Sequence, residues 1–236
     1  MTGEVFYLSC IAGFCTTFGA ILLFVKRYWS NRSLAFFLGL ASGVMVAVVV
    51  FDMLPSAFLF SRFYVPALGL IVGFISLGLF DNVRMQKISR SDSLLALGYL
   101  IMVGIMLHDL PEGMAIALGG EMKERTGLVI AMGIAIHNIP EGMAIAAPFL
   151  MGGMKRSRIF FKTFLISLIT PLGTLIGEWA AMTVPGCMPA LLGFASGVMI
   201  YLVVFQLWPE ARGRDRLGRW FGFITGMIVI ALATFI

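Results

Sequence analysis

The chain contains two histidines, His108 and His137, and each opens a nearly identical ten-residue stretch. The first runs His108-Asp109-Leu110-Pro111-Glu112-Gly113-Met114-Ala115-Ile116-Ala117. The second runs His137-Asn138-Ile139-Pro140-Glu141-Gly142-Met143-Ala144-Ile145-Ala146. They stand 29 residues apart (137 − 108) and differ at two positions, Asp109/Asn138 and Leu110/Ile139. On a helix, Glu112 lies about 40° from His108 and one turn further along the axis, with Asp109 about 60° to its other side. Glu141 stands in the same relation to His137 and Asn138. Two such faces brought together offer two imidazoles, two glutamates able to bridge, one aspartate and one amide. That set holds one divalent cation, or two that share the glutamates. Imidazole with carboxylate suits zinc, iron(II), manganese or cobalt better than calcium or magnesium, which prefer all-oxygen shells. No thiolate is present to favour copper(I).

Both stretches lie inside long apolar segments. A charge at the centre of a membrane helix costs about 2.5–3.5 kcal/mol on insertion scales, so Asp109, Glu112 and Glu141 together cost roughly 7–10 kcal/mol unless neutralised. No lysine or arginine lies deep in any span, so a cation or protons must do it. A lone intramembrane histidine is often only a packing residue. Two histidines, each with Pro at i+3 and Glu at i+4, are hard to explain that way. Pro111 and Pro140 lack an N–H and free the carbonyls of Leu107 and Ile136. Gly113 and Gly142 admit close backbone approach. Kinked helices with free carbonyls beside the acids are the expectation, a break tolerated where it lines a cavity.

The elements that must position these residues follow from composition. The chain has 236 residues, 60% of them hydrophobic and only 12% charged, with a mean hydropathy of +0.98. A soluble domain is roughly 25% charged, so the bilayer is the expected solvent. Eight apolar runs reach spanning length, at about 5–25, 34–59, 64–82, 93–118, 126–151, 159–183, 188–209 and 217–236. Each must be a helix, because lipid cannot satisfy exposed backbone groups. No loop is long enough to form a second domain, so residues 1–236 read as a single all-α, polytopic membrane domain.

Basic residues sit mainly between runs 1 and 2 (Lys26, Arg27, Arg32), 3 and 4 (Arg84, Lys87, Arg90), 5 and 6 (Lys155, Arg156, Arg158, Lys162) and 7 and 8 (Arg212, Arg214, Arg216, Arg219). The opposite side has Arg62, Lys123 and Arg125. The positive-inside rule then puts these four loops in the cytoplasm and both termini outside. The formal charge of +5 therefore reflects topology in a cell membrane, with anionic-lipid contact secondary, and does not call for a nucleic-acid partner. Cys10, Cys15 and Cys187 form no CxxC pair and read as small apolar helix residues.

A second repeat links Gly39–Ala57 (GLASGVMVAVVVFDMLPSA) to Gly193–Ala211 (GFASGVMIYLVVFQLWPEA), offset by 154. Helices 2 and 7 run in opposite directions, as do 4 and 5. The chain therefore reads as two inverted halves, with helices 1–4 answering 8–5, a hallmark of secondary transporters with a midplane site. Asp52 falls in the outer third of helix 2, and Gln206 holds the matching place toward the inner side of helix 7. They are candidates for an entrance residue and an inner ligand, or else hydrogen-bond partners of a neighbouring helix. Glu178 and Glu210 read as solvated residues at the boundaries. Small-residue stripes at Gly69/Gly73, Gly173/Gly177 and Gly218/Gly222/Gly226 offer internal packing or a homodimer face.

At these motifs the chain resembles the ZIP (Zrt/Irt-like) family of divalent metal transporters, in particular its bacterial GufA-type branch. The resemblance covers the whole chain and implies a central two-metal site. It makes His108, Glu112, His137 and Glu141 the ligands of the transport site. Asp109 and Asn138 fall at second-site positions bridged by the glutamates. The family usually has Asn where Asp109 stands, and often Glu where Gln206 stands. The implied activity is transport of zinc, and of iron(II), manganese, cobalt or cadmium, into the cytoplasm without catalysis or a catalytic cofactor. Two other classes fit the residues: an intramembrane zinc-dependent hydrolase, and a metal-selective channel. The duplicated site and the lack of HExxH or a third histidine count against the hydrolase.

Overall fold

The structure is a computed structural model that describes residues 3–26, 28–59, 61–85, 93–122, 124–183 and 186–235. Arg27, Lys87, Arg90 and Lys123 of the charge map lie outside the described residues. Among the described residues there is no strand, and eight helices are long and apolar enough to cross a membrane. They are α1 (Gly3–Val25), α2 (Asn31–Leu59), α3 (Tyr64–Asn82), α4 (Leu94–Gly120), α5 (Thr126–Met151), α6 (Arg156–Ala180), α7 (Met188–Arg214) and α8 (Arg216–Thr234). Polar residues set the cytoplasmic helix starts. Ser30 Oγ accepts a hydrogen bond from Ser33 N at 3.1 Å at the head of α2, and Asp215 Oδ1 accepts from Gly218 N at 2.6 Å at the head of α8.

The helices pack mainly in four pairs, α2 with α8, α3 with α7, α1 with α5 and α4 with α6, around a central α4–α5 contact. The pairing reveals the true order of the repeat. Gly43 on α2 rests on the Phe223 carbonyl of α8, and Gly197 on α7 rests on the Leu70 carbonyl of α3. Gly142 on α5 rests on the Thr16 carbonyl of α1, and Gly113 on α4 rests on the Thr170 carbonyl of α6. A Cβ at any of these four would collide with the carbonyl it faces. These contacts map α1 to α6 and α2 to α7 at the same offset of 154 (170 − 16, 197 − 43), and α3 to α8 at 153 (223 − 70). Helices α4 and α5 exchange with each other. The expectation that helices 1 and 3 answer 8 and 6 is therefore corrected. The three-helix segment α1–α3 keeps its order in α6–α8, and the inversion arises because counterparts lie an odd number of spans apart, five for these three helices and one for α4 with α5.

The same mapping governs the lipid face. Leu68, Ile75 and Leu79 of α3 are exposed, as are their counterparts Phe221, Ile228 and Leu232 of α8. Apolar side chains at one-turn spacing on an outer surface are what a bilayer requires. The Gly69/Gly73, Gly173/Gly177 and Gly218/Gly222/Gly226 stripes face neighbouring helices within the chain, so close packing inside the protomer accounts for them.

The breaks fall elsewhere than the motif prolines suggest. Helices α4 and α5 continue through Pro111 and Pro140. One missing hydrogen bond does not stop a helix packed on several sides, and membrane helices tolerate it. The departures lie in α2 and α7, where Val49–Met53 and Val203–Leu207 form wide π turns. These are equivalent segments, 154 apart (203 − 49), and they carry Asp52 and Gln206. Helix α6 also breaks at Leu168, between Arg156–Ser167 and Ile169–Thr183, three residues before Pro171, which has no N–H to offer the Ser167 carbonyl.

Candidate metal centre

All six polar residues of the twin stretches are buried at the α4–α5 contact: His108, Asp109, Glu112, His137, Asn138 and Glu141 are each no more than 3% exposed. The sequence suggests that each histidine works with the glutamate one turn along its own helix. The structure shows a cross-helix arrangement. His108 Nε2 lies 3.2 Å from Glu141 Oε1, and His137 Nε2 lies 3.0 Å from Glu112 Oε2. The two pairs are equivalent under the 29-residue exchange, so the site carries the approximate two-fold of the fold. His108 Nε2 also lies 3.5 Å from Asp109 Oδ1. Ligand atoms of His108, Asp109 and Glu112 all lie within 4.8 Å of one another.

One tautomer follows from the contacts. His108 Nδ1 is 3.0 Å from the Gly104 carbonyl, which can only accept. Nδ1 therefore carries a hydrogen, and a neutral ring must present a lone pair at Nε2. That lone pair faces a carboxylate oxygen. Two acceptors at 3.2 Å require something positive between them, either a second ring proton or a cation. Two ligand atoms about 2.0–2.2 Å from a tetrahedral zinc stand about 3.3 Å apart. The His–Glu separations lie within a few tenths of an ångström of that spacing, so a proton and a zinc ion can exchange with little rearrangement.

The remaining donors are oxygens. Asp109 Oδ1 and Oδ2, Glu112 Oε1, Glu141 Oε2 and Asn138 Oδ1 are buried and have no hydrogen-bond partner among the described residues. Asn138 Nδ2 donates to the Ala12 carbonyl at 2.8 Å, which fixes the amide with its oxygen free. Five buried oxygens without a hydrogen-bond partner in a helix interface are costly as they stand, and they are the atoms a divalent cation would take. With both histidines neutral the three carboxylates carry −3, which one divalent cation and one proton balance (2 + 1).

A cavity of about 570 Å³ reaches the site from one side. Glu112 and His137 lie at its base, and Asp52, Ser56, Ile130, Ile134, Met188 and Leu192 are among its walls. Asp52 thus stands on the approach, with Ser56 Oγ donating to its Oδ1 at 3.4 Å. Part of the wall is Gly186 and Cys187 of the α6–α7 connection, with Thr126 at the start of α5 and Met188 and Pro189 at the start of α7, ends that the basic loops place outside. The equivalent positions on the inner side are filled. Leu38, Ile101, Ile105 and Leu202, counterparts of Leu192, Ile130, Ile134 and Val48, are all 0% exposed. Among the described residues the cavity therefore opens toward the outer connections, while these four inner counterparts are packed shut.

Gln206 is not directed at this cluster. Its Nε2 donates to Asp81 Oδ2 at 2.7 Å, and the Tyr201 hydroxyl donates to the same oxygen at 2.7 Å. The wide turn of α7 presents Gln206 to α3. Asp81 escaped the sequence reading because it stands at the end of an apolar run, where an acid looks solvated; one signal for it was the lack of any other acid in α3. Glu210 is paired with Arg214 at 2.6 Å, as a boundary residue would be.

The fold and site together define a polytopic membrane protein with a buried histidine–carboxylate cluster able to hold a cation at the junction of two inverted repeats. The family model described as ZIP zinc transporter matches residues 80–234. The chain is 33% identical to the zinc transporter ZupT of Enterobacter sp. (strain 638), over 96% of this chain and 94% of that protein. It is 32% identical to ZupT of Chlorobium luteolum, over 96% and 95%. It is 27% identical to ZupT of Streptococcus mutans, over 97% and 95%. This chain belongs to the ZIP family.

Proposed function

We propose that this chain carries zinc across the cell membrane into the cytoplasm by alternating access. The observation that carries the reading is the pair of reciprocal His–Glu contacts at the base of a one-sided cavity. Zinc enters past Asp52 and meets His137 and Glu112 first, because they line the cavity. His108, Glu141 and Asp109 complete its shell, and Asn138 adds an amide oxygen. Release follows when the two repeats exchange conformations, so that the cavity closes and its inner counterpart opens between Leu38, Ile101, Ile105 and Leu202. The whole chain acts as one membrane unit. Iron(II), manganese, cobalt and cadmium share enough of this donor chemistry to compete.

The site also couples transport to protons. Imidazole and carboxylate bind metal only when deprotonated, so loading displaces protons and acid opposes it. Purified protein in zinc-free liposomes is expected to take up ⁶⁵Zn²⁺ saturably, with the rate falling as the outer pH is lowered. Absence of uptake for zinc, iron(II) and manganese in well-reconstituted protein would overturn the transporter reading. Flux that never saturates would favour a channel.

A further inference from the structure

The two wide turns hold equivalent places in the repeat, yet they stand in different states. In the outer half, Asp52 is exposed and lines the cavity, and its hydrogen bond runs within its own helix, from Ser56 at 3.4 Å. In the inner half, its counterpart Gln206 reaches across to another helix and donates to Asp81 Oδ2 of α3 at 2.7 Å. Tyr201, earlier on α7, donates to the same oxygen at 2.7 Å. A carboxylate makes stronger hydrogen bonds than a neutral acceptor does. The tyrosine is fixed as well. Its ring stands edge-on to Phe74 of α3 at 5.3 Å and beside Phe205 of the turn at 4.9 Å, and a Cβ at Gly78 would come within 3.0 Å of it. Asp81 therefore gathers the wide turn of α7 onto the inner end of α3.

The outer half is built without this tie. Under the offset of 153 that relates α3 to α8, the place of Asp81 falls to Thr234 (81 + 153), at the outer end of α8. The place of Tyr201 falls to Ala47 (201 − 154), which has no hydroxyl. Among the described residues no hydrogen bond joins Asp52 to α8. The tied turn lies on the side where Leu38, Ile101, Ile105 and Leu202 are packed shut, and the untied turn lies on the open side. Leu202 directly follows Tyr201, so the tie holds one wall of that packing in place. One molecule thus shows two states of the same element, and alternating access exchanges such states between repeats.

We propose that Asp81, with Tyr201, is the latch of the inner gate. It holds Gln206 off the pathway while the outer side is open, and it must release Gln206 before zinc can leave. Released, Gln206 faces the inner cavity as Asp52 faces the outer one, and water at the end of α3 takes its place on Asp81. This rests on the transporter reading and makes Asp81 a positioning residue that touches no metal.

The test uses protein with Cys10, Cys15 and Cys187 changed to serine and carrying Asp81→Cys with Gln206→Cys, reconstituted in liposomes. A short, reducible cross-linker between the two thiols is expected to lower initial ⁶⁵Zn²⁺ uptake about tenfold or more, by trapping one state. Reductant is expected to restore the rate, and Zn²⁺ binding by equilibrium dialysis is expected to be unchanged throughout. Cross-linked protein that takes up zinc as fast as reduced protein would overturn the proposal, because the contact would then be static. Loss of Zn²⁺ binding along with uptake would also overturn it, because the pair would then shape the site. Asp81→Ala and Gln206→Leu give a second reading that needs no cross-link. Each, placed in the same background with Ile101→Cys, is expected to raise labelling of that cysteine from the inner face about tenfold without zinc, the effect of one lost hydrogen bond to a charged group. The two together are expected to do no more than either alone. Labelling as slow as in the parent would overturn the latch and leave the transporter reading standing. Wild type that takes up no zinc would remove the transporter reading itself.

Discussion

Glu112→Ala and Glu141→Ala are each expected to reduce zinc uptake about 100-fold or more, the upper end of what a lost metal-site partner costs. Each substitution removes one bridging carboxylate and strips one histidine of its partner, His137 in the first and His108 in the second. Because the two-fold makes the positions equivalent, the two losses are expected to match in size. The double variant is expected to be no worse than either single one by more than a small factor, since residues of one site act as a unit. The apo protein is expected to hold its thermal midpoint or gain. Removing a buried charge relieves desolvation that the cation would otherwise offset. Glu210→Ala is the control. Its pair with Arg214 is partly exposed and joins residues one turn apart, a contact worth about 0.3–0.5 kcal/mol, and uptake is expected to be unchanged. Initial rates of ⁶⁵Zn²⁺ uptake, with melting curves on the same preparations, check these expectations. Near-normal uptake in either glutamate variant would remove that residue from the site.

The second large effect concerns access. In a background with Cys10, Cys15 and Cys187 changed to serine, Ile130→Cys and Leu192→Cys are expected to react rapidly with a membrane-impermeant thiol reagent applied to intact cells. Their repeat counterparts Ile101→Cys and Leu38→Cys are expected to be protected from the same side. Ile130 and Leu192 line the outer cavity, whereas Ile101 and Leu38 are fully buried. Background substitution matters because Cys187 itself lines the cavity. Reagent on the inner face is expected to reach Ile101→Cys and Leu38→Cys once transport is cycling. Equal reaction of both sets from outside would show a continuous pore and support a channel. Reaction of the inner set alone would invert the orientation drawn from the basic loops.

Much of this was legible in the residues. Eight helices follow from hydropathy because a bilayer leaves a chain few ways to bury its backbone. The twin stretches stand out because three acids in apolar helices, with no base to pair them, demand a cation. The repeat joining Asp52 to Gln206 was visible because enough of the apolar sequence survived. Helices α1 and α6, and α3 and α8, have diverged until only glycine contacts and lipid-facing spacing betray them, so their order had to come from packing. Helical geometry alone favoured His108 with Glu112, since spacing within one helix says nothing of the neighbour. The cross-helix partners depend on how α4 and α5 cross. Pro111 and Pro140 looked like breaks, yet tertiary packing carries both helices through. The wide turns at Val49–Met53 and Val203–Leu207 lie just before Pro55 and Pro209, which have no N–H to offer the Phe51 and Phe205 carbonyls, so the signal was a proline beyond the turn and not one in the twin stretches. Asp81 went unremarked because only the fold brings it to Gln206 and Tyr201.

X-ray absorption at the zinc edge, on protein loaded with one equivalent of Zn²⁺, reads directly which side chains hold the metal. The expected first shell is nitrogen and oxygen at about 2.0–2.2 Å with imidazole scattering and no sulfur at about 2.3 Å. His108→Ala and His137→Ala should each weaken the imidazole signal by a similar amount. A shell containing sulfur, or six oxygens without imidazole, would place the metal elsewhere and contradict a site built from the crossed His–Glu pairs of α4 and α5.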